Sequence, residues 1–158
     1  MSRRGFALAL LLALAAGGCR SQPSASEAAV AESGLALVPL EIRSGGRVHR
    51  FSVEVAASVE EQDQGLMFRQ SLAPDRGMIF PFVPPRPASF WMKNTLIPLD
   101  MIFVRADGTI ARIADNTIPR SLDPVEVGEP VAAVLEIAGG RSAELGITES
   151  DTVSWPKK

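Results

Sequence analysis

The alternation of apolar and polar residues along the chain predicts a series of short β-strands. In residues 47–56 apolar side chains recur at every second position, so Phe51, Val53 and Val55 are expected on one face of a strand. Similar patterns predict seven further strands, at residues 37–43, 77–82, 88–92, 99–105, 109–114, 131–138 and 151–155.

Turn and capping residues separate these strands and predict two short helices. Ser44-Gly45-Gly46 is expected to close a hairpin with a three-residue loop, and Asp107-Gly108 to close a tighter one. Ser58 followed by Glu61 is a capping-box pattern, which predicts a helix from Ser58 to about Arg69. Residues 139–145 are expected to add one or two helical turns.

Two continuous apolar runs indicate how the strands pack. Met101–Val104 and Val131–Leu135 lack polar alternation, which is typical of strands buried on both faces. Many short strands with two small helices predict an α+β, β-rich fold, a small and mostly antiparallel β-barrel-like domain. Residues 116–130, which contain three prolines, are expected to form a long polar loop.

The start of the chain predicts export from the cytoplasm. Arg3 and Arg4 precede an apolar run from Phe6 to Ala16, and small residues then lead to Cys19. This order is typical of a secretory signal, and the run is shorter than the roughly 20 residues that a membrane-spanning helix needs. Residues 1–18 are therefore interpreted as a signal peptide.

The residues around Cys19 resemble a bacterial lipobox, which implies acylation of that cysteine. Ordinary signal cleavage without a lipid is the alternative. Residues 19–34 are rich in Ser, Ala and Glu and are expected to form a flexible tether between the membrane and a domain at residues 35–157. Arg20 after the cysteine implies, by resemblance to Gram-negative sorting, a periplasmic protein held at the outer membrane.

Composition and charge argue against several classes of function. A chain of 158 residues is expected to hold one domain. A net charge of -2 and a pI near 5.5 argue against a nucleic-acid partner. The single cysteine excludes a disulfide framework and a cysteine-based zinc cluster. Without a glycine-rich phosphate loop, a G-x-S-x-G elbow or an H-E-x-x-H motif, the sequence predicts no cofactor and no metal site.

Five ordered motifs lie between residues 37 and 155. They are Gly65–Arg69, Gly77–Phe80, Phe90–Thr95, Pro98–Phe103, and Val134–Glu136 followed by Gly139-Gly140. Together they resemble the domain of unknown function 192 family. The resemblance implies a compact β-rich domain that is often exported, and it implies no established activity. Fold-level analogy does not supply a function either.

Polar side chains inside or beside the apolar runs are the candidate functional residues. Such groups must be paired, hydrogen-bonded or turned toward a ligand, because an unpartnered charge is costly to bury. One interpretation pairs Arg69 with Asp100 or Glu136 as a bidentate clamp between helix and sheet. The other places a polar floor beneath an aromatic wall of Phe90 and Trp91, where a small polar ligand would bind. The candidate ligand-binding residues are Arg69, Trp91, Lys93, Asn94, Asp100 and Glu136.

Methionines and aromatic residues in the motifs are interpreted as core, because both types fill irregular apolar gaps well. A thioether site for Cu(I) is the alternative. His49, the only histidine, is expected at the surface or at a strand end. The residues assigned to the core are Met67, Met78, Phe90, Trp91 and Met92.

The favoured function is non-catalytic binding of a small polar ligand or an envelope partner. The first alternative is an enzyme that acts on an envelope glycan through Asp100 or Glu136, since glycoside hydrolysis uses two carboxyl groups. The second is a purely structural lipoprotein, which a sealed pair of Arg69 with Asp100 or Glu136 would favour. No catalytic residue is assigned, and the oligomeric state stays open.

Overall fold

The computed structural model describes residues 33–156. The predicted signal peptide, the predicted acylation site Cys19 and all but the last two residues of the predicted tether lie outside the described residues. Within residues 33–156 no helix has the length and hydrophobicity required to cross a bilayer.

Short strands dominate the described part of the chain, as the alternation predicts, and two short helices accompany them. The elements are β1 (Leu37–Ser44), β2 (Arg47–Val55), α1 (Val59–Gln64), β3 (Arg76–Arg86), β4 (Ser89–Phe90), β5 (Leu99–Val104), β6 (Ile110–Ala114), β7 (Val125–Glu126), β8 (Val131–Ala138), α2 (Arg141–Leu145) and β9 (Thr152–Ser154).

Seven strands form one sheet in the order β6-β5-β8-β3-β2-β1-β9, and β4 pairs with β7 in a separate two-stranded sheet. Every pair is antiparallel except β2 with β3, whose connection contains α1. The large sheet curls into a half-barrel, and its edges meet where Thr109 bridges to Thr152. These observations confirm the predicted α+β, β-rich, mostly antiparallel barrel-like fold.

Both faces of the central strands are covered, as the continuous apolar runs predict. All six residues of β5 are buried, as are residues 131–137 of β8. One core lies on the face that includes Ile79, Ile102 and Leu135. The second core lies on the opposite face, around Met78, Phe80, Met101 and Phe103, and this face carries the candidate site.

The hairpin between β1 and β2 has a shorter loop than predicted. Ser44 pairs with Arg47 in the ladder, so only Gly45 and Gly46 form the turn. Both glycines have positive φ, 53° and 79°, and such a two-residue turn matches the right-handed twist of the flanking strands. The predicted three-residue loop was therefore wrong by one residue.

The capping box of α1 is confirmed, but the helix ends before the predicted Arg69. The Ser58 side chain accepts a hydrogen bond from the Glu61 amide, and the Glu61 carboxylate accepts one from the Ser58 amide. At Gly65 φ is 47°, which takes the chain out of the helix. The ring of Phe80 lies 3.4 Å from where a Cβ of Gly65 would be, which is an ordinary contact, so the positive φ rather than the lack of space favours glycine here.

Two segments outside the predicted strands contain strand residues. The strand β3 continues through the prolines after Phe82, because a register shift between Pro81 and Arg86 accommodates residues that lack an amide hydrogen. The predicted long loop at residues 116–130 contains the two-residue β7.

Candidate functional site

A cavity of about 390 Å³ lies between α1, the strands β3 and β4, and the loop that follows β4. Its volume falls within the range of roughly 300–1,000 Å³ that is usual for small-molecule sites. The residues that line it are mostly polar, with an aromatic wall on one side. They are Gln62–Met67, Phe80, Arg86, Ser89, Phe90, Trp91, Lys93, Thr95 and Glu136.

Glu136 contributes a carboxyl group to this cavity from β8, a strand inside the sheet. In the sheet register it lies between Met78 on β3 and Met101 on β5, and it is only 5% exposed. No residue between 33 and 156 hydrogen-bonds to its carboxyl group or forms an ion pair with it. Burial without a compensating partner raises the pKa of Glu136 to about 8. Glu136 is therefore predominantly neutral at pH 7 and offers both an O–H donor and a carbonyl acceptor.

The aromatic wall of the cavity combines a fixed ring with an accessible one. Phe90 packs edge-on against Phe80, with ring centres 5.1 Å apart, and against Phe103 at 6.4 Å. Trp91 is 49% exposed, and the Lys93 ammonium nitrogen lies 4.9 Å from the centre of its ring. This cation–π contact holds a positive charge at the edge of the cavity.

Three loop segments, which we call the rim loops, are joined to one another by backbone hydrogen bonds. They are residues 66–69, 91–95 and 118–122. The Phe68 amide donates to Asn94 at 2.9 Å, and the Arg120 amide donates to Thr95 at 3.1 Å. Phe68, Asn94 and Arg120 all adopt positive φ, between 56° and 64°. Left-handed backbone at a residue other than glycine is costly, and it concentrates at functional sites.

The rim loops also carry most of the large apolar side chains that the described residues expose to solvent. An exposed group of this kind is typical of a binding surface rather than of an inert one. Its members are Phe68, Trp91, Ile118 and Leu122.

Asp100 lies on the opposite face of the sheet from Glu136. In the register of β5 and β8, Asp100 pairs with Ile137 while Met101 pairs with Glu136, and consecutive strand residues point to opposite faces. The buried Asp100 carboxylate accepts three backbone hydrogen bonds, each 2.7 Å long, from Asn116, Gly140 and Ser142. The bonds from Gly140 and Ser142 tie β5 to the start of α2, whose N-cap residue Gly140 supplies no side-chain cap, and the bond from Asn116 ties β5 to the segment after β6.

Arg69 forms its bidentate clamp with Glu54 on β2. The two guanidinium–carboxylate distances are 2.6 Å and 2.7 Å. Burial opposes ionisation of Glu54, but the hydrogen bonds from Arg69 and Ser33 outweigh it and lower the pKa of that carboxyl group. The predicted pairing of Arg69 with Asp100 or Glu136 was wrong, because the chain turns at Gly65 and Phe68 and brings Arg69 to β2 instead.

Glu54 nevertheless shares a sheet face with Glu136. The ladder places Glu54 beside Met78, and Met78 beside Glu136. Two strand spacings, about 10 Å, therefore separate the two acids along the sheet. The sequence pattern missed Glu54, because it occupies the polar side of an alternating strand, where solvent exposure is the usual outcome.

The structure thus brings together three of the six candidate residues, Trp91, Lys93 and Glu136, around one cavity. Asn94 lies at the rim, where its side-chain amide donates to the Met67 sulfur at 3.7 Å. Arg69 and Asp100 are engaged elsewhere. The lining residues that were not among the predicted candidates include Gln62, Arg86, Ser89 and Thr95, which come from α1, β3, β4 and the loop after β4 and meet only in the folded protein.

The methionines beside the cavity belong mainly to the core. Met78 and Met92 are each 1% exposed, as the core interpretation predicts, but the interpretation was wrong for the exposed Trp91. His49 is half-buried near the start of β2. No cluster of three or more His, Cys, Asp or Glu side chains suited to a metal ion occurs among residues 33–156.

The motifs that line the cavity fall within a match to a known family. The model of that family, DUF192, is described as "Uncharacterized ACR" and matches residues 40–155. The chain belongs to the DUF192 family. No curated protein matches this DUF192 chain.

Two solved structures resemble this DUF192 protein. A protein of unknown function from Novosphingobium aromaticivorans is 44% identical, with a TM-score of 0.80 over 88% of this chain and 100% of that one. A protein from Sinorhizobium meliloti, named as a proposed transcription regulator, is 41% identical, with a TM-score of 0.75 over 77% of this chain and 95% of that one. The DUF192 protein is thus similar to proteins without an established activity.

Proposed function

We propose that this DUF192 protein binds a small polar ligand, without catalysis, in the cavity that Glu136 lines. The observation that carries the proposal is a buried carboxyl group, open to the cavity, that no residue from 33 to 156 partners. A buried polar group without a partner costs stability, so its presence in the middle of an apolar sheet face calls for a functional reason. A ligand would supply the missing hydrogen bonds.

The rim loops support the same proposal. Trp91 offers an accessible indole ring at the mouth of the cavity. A backbone hydrogen bond joins Phe68 to Asn94, and both residues adopt the costly positive φ. Aromatic side chains beside a few polar groups are the usual composition of small-molecule sites.

A glycan-hydrolysing pair made of Asp100 and Glu136 is excluded, because the two residues lie on opposite faces of the sheet. Such enzymes need both carboxyl groups on the two sides of one scissile bond. Asp63 is the other acid that lines the cavity, and it is exposed on α1. The sealed pairs that would favour a purely structural role are also absent, since Arg69 binds Glu54.

We propose further that the protein acts in the periplasm, attached to the outer membrane through an acylated Cys19. The basic start, the apolar run and the small residues before Cys19 support this location. Mass spectrometry of the mature N-terminus tests it: a diacylated or triacylated Cys19 is expected. An unmodified chain that begins at another residue would refute lipidation.

We do not propose nucleic-acid binding for this protein, although the Sinorhizobium meliloti protein is named as a proposed transcription regulator. The chain has 18 acidic and 16 basic residues. Five arginines on the described domain already pair with glutamates, so they offer phosphates little free positive charge. These arginines are Arg43, Arg50, Arg69, Arg105 and Arg141.

Tryptophan fluorescence provides a direct test of ligand binding. The chain has two tryptophans, so Trp155→Phe leaves Trp91 as the single reporter at the cavity. Addition of glucuronate, glucose, benzoate or benzyl alcohol is expected to change its emission for at least one compound, with saturation. Trp91→Phe, which keeps Trp155, is the matched control and should show no change. Equal responses in both variants, or none in either, would refute binding at this cavity.

The rim loops favour a second candidate function, the docking of an envelope partner. Phe68, Ile118 and Leu122 expose apolar surface that a small ligand in the cavity would not cover. A photo-crosslinker placed at Phe68 in cells should capture one defined protein. The control position is Val83, which is 94% exposed on the proline-rich segment. The same products at both positions would argue against a docking surface.

A further inference from the structure

We infer that the ligand of this cavity is a small organic anion whose carboxylate is held between the Lys93 ammonium group and the carboxyl group of Glu136. The inference rests on the proposed function and adds the chemical class of the ligand. Three observations support it: the charges of the side chains that line the cavity, the hydrogen bond that a protonated Glu136 can donate, and the contact that holds the Lys93 ammonium group over the Trp91 ring.

The charges that line the cavity favour an anion. The titratable side chains facing it are Asp63 on α1, Arg86 on β3, Lys93 on the loop after β4, and Glu136 on β8. Glu136 is predominantly neutral at pH 7 because its burial raises its pKa to about 8. Two cations then face one exposed carboxylate, so an ammonium ligand meets net repulsion and a carboxylate meets net attraction.

The form of Glu136 matches an acceptor on the ligand. A protonated carboxyl group donates one strong O–H hydrogen bond, and a carboxylate is acceptor-only. Hydrogen bonds with an ionised partner are shorter and roughly twice as strong as neutral ones. A ligand carboxylate therefore satisfies Glu136 better than a hydroxyl does, and its charge is neutralised by Lys93 at the same time.

Lys93 is positioned for this role rather than free in solvent. Its ammonium group is held over the Trp91 ring at 4.9 Å, at the mouth of the cavity. Arg86 is partly engaged, since its guanidinium lies 4.0 Å from the centre of the Phe82 ring and donates to Gln62 at 3.4 Å. Lys93 makes a ring contact of the same kind, but its ammonium group has no hydrogen bond or ion pair with any of residues 33–156, so it keeps its donors for a ligand charge.

Two series of probes with matched shape and different charge test the inference on the purified protein. The first is glucuronate, glucose and glucosamine, and the second is benzoate, benzyl alcohol and benzylamine. Calorimetric titration at pH 6.5 should rank the anion first in at least one series, with the neutral probe at least tenfold weaker and the amine weaker still.

The dependence of binding on pH identifies Glu136 as the donor. The affinity for the anion should fall about tenfold from pH 7 to pH 9, in proportion to the fraction of protonated Glu136. In Glu136→Gln, whose neutral amide still donates, this fall should disappear while binding at pH 7 persists. Lys93→Gln should weaken binding about tenfold at both pH values and keep the fall. Arg50→Gln removes an exposed cation on β2 as the matched control and should change nothing.

Each outcome decides between this inference and the proposed function. Tighter binding of a neutral or amine probe would keep the proposed function and overturn the inference. A persistent fall between pH 7 and pH 9 in Glu136→Gln would also overturn it, because the proton would then belong to another group. Failure of all six probes to bind would count against both.

Discussion

Glu136→Gln should stabilise the protein at neutral pH, by an amount that grows as the pH rises. The wild-type carboxyl group is protonated in the folded protein up to a pKa of about 8, whereas in the unfolded chain it ionises near 4.5. Between these two values unfolding releases a proton, so the free energy of unfolding falls as the pH rises. Glutamine has a similar shape and no titration, so the variant lacks this loss.

The size of the effect follows from the difference between the two pKa values. One pH unit between them corresponds to about 1.4 kcal/mol. The variant should therefore gain nothing from this term near pH 4, about 3 kcal/mol at pH 7 and about 5 kcal/mol above pH 8, where the difference levels off. Any change in packing caused by the amide adds a constant offset, which leaves the pH dependence intact.

Urea denaturation of both proteins at several pH values between 4.5 and 8.5 measures the difference. Subtraction of the wild-type curve removes the contributions of other acids, such as Glu54, whose lowered pKa makes its contribution disappear as the pH falls. Glu126→Gln changes an exposed carboxyl group on β7 and serves as the control. A difference between Glu136→Gln and wild type that stays constant with pH would refute the assignment of a buried, unpartnered acid.

Four further substitutions test buried contacts of the domain, each by chemical denaturation. Asp100→Asn should cost at least about 3 kcal/mol, because three short backbone hydrogen bonds lose their charged acceptor; a loss below about 1 kcal/mol would contradict this role. Arg69→Met should cost about 3 kcal/mol, because the largely buried Glu54 loses its ion pair and keeps only the hydrogen bond from Ser33, and adding Glu54→Leu should restore most of this loss. Gly77→Ala should cost about 2 kcal/mol or more, because the added methyl group would overlap the backbone carbonyl oxygen of Glu136. Wild-type stability of this variant would contradict the prediction and show that β3 can shift away from β8 without cost.

The sequence alone determined the local structure and the class of fold. Alternation located the strands, the Ser58–Glu61 box located the start of α1, and the unbroken apolar runs identified β5 and β8 as buried on both faces. These features depend on residues close together in the chain, where periodicity and capping act directly. The motifs also sufficed for the DUF192 family.

Only the tertiary structure decided which polar residues meet. The sequence indicated that Arg69 and Asp100 each need a partner. The partner of Arg69 is Glu54 on β2. The partners of Asp100 are backbone amides, one of them as far along the chain as Ser142. A one-residue change of strand register moves a side chain to the other face of a sheet, so sequence could not show that Glu136 faces the cavity while Asp100 faces away. Register is set by the packing of the whole sheet, and the candidate site therefore emerges only with the fold.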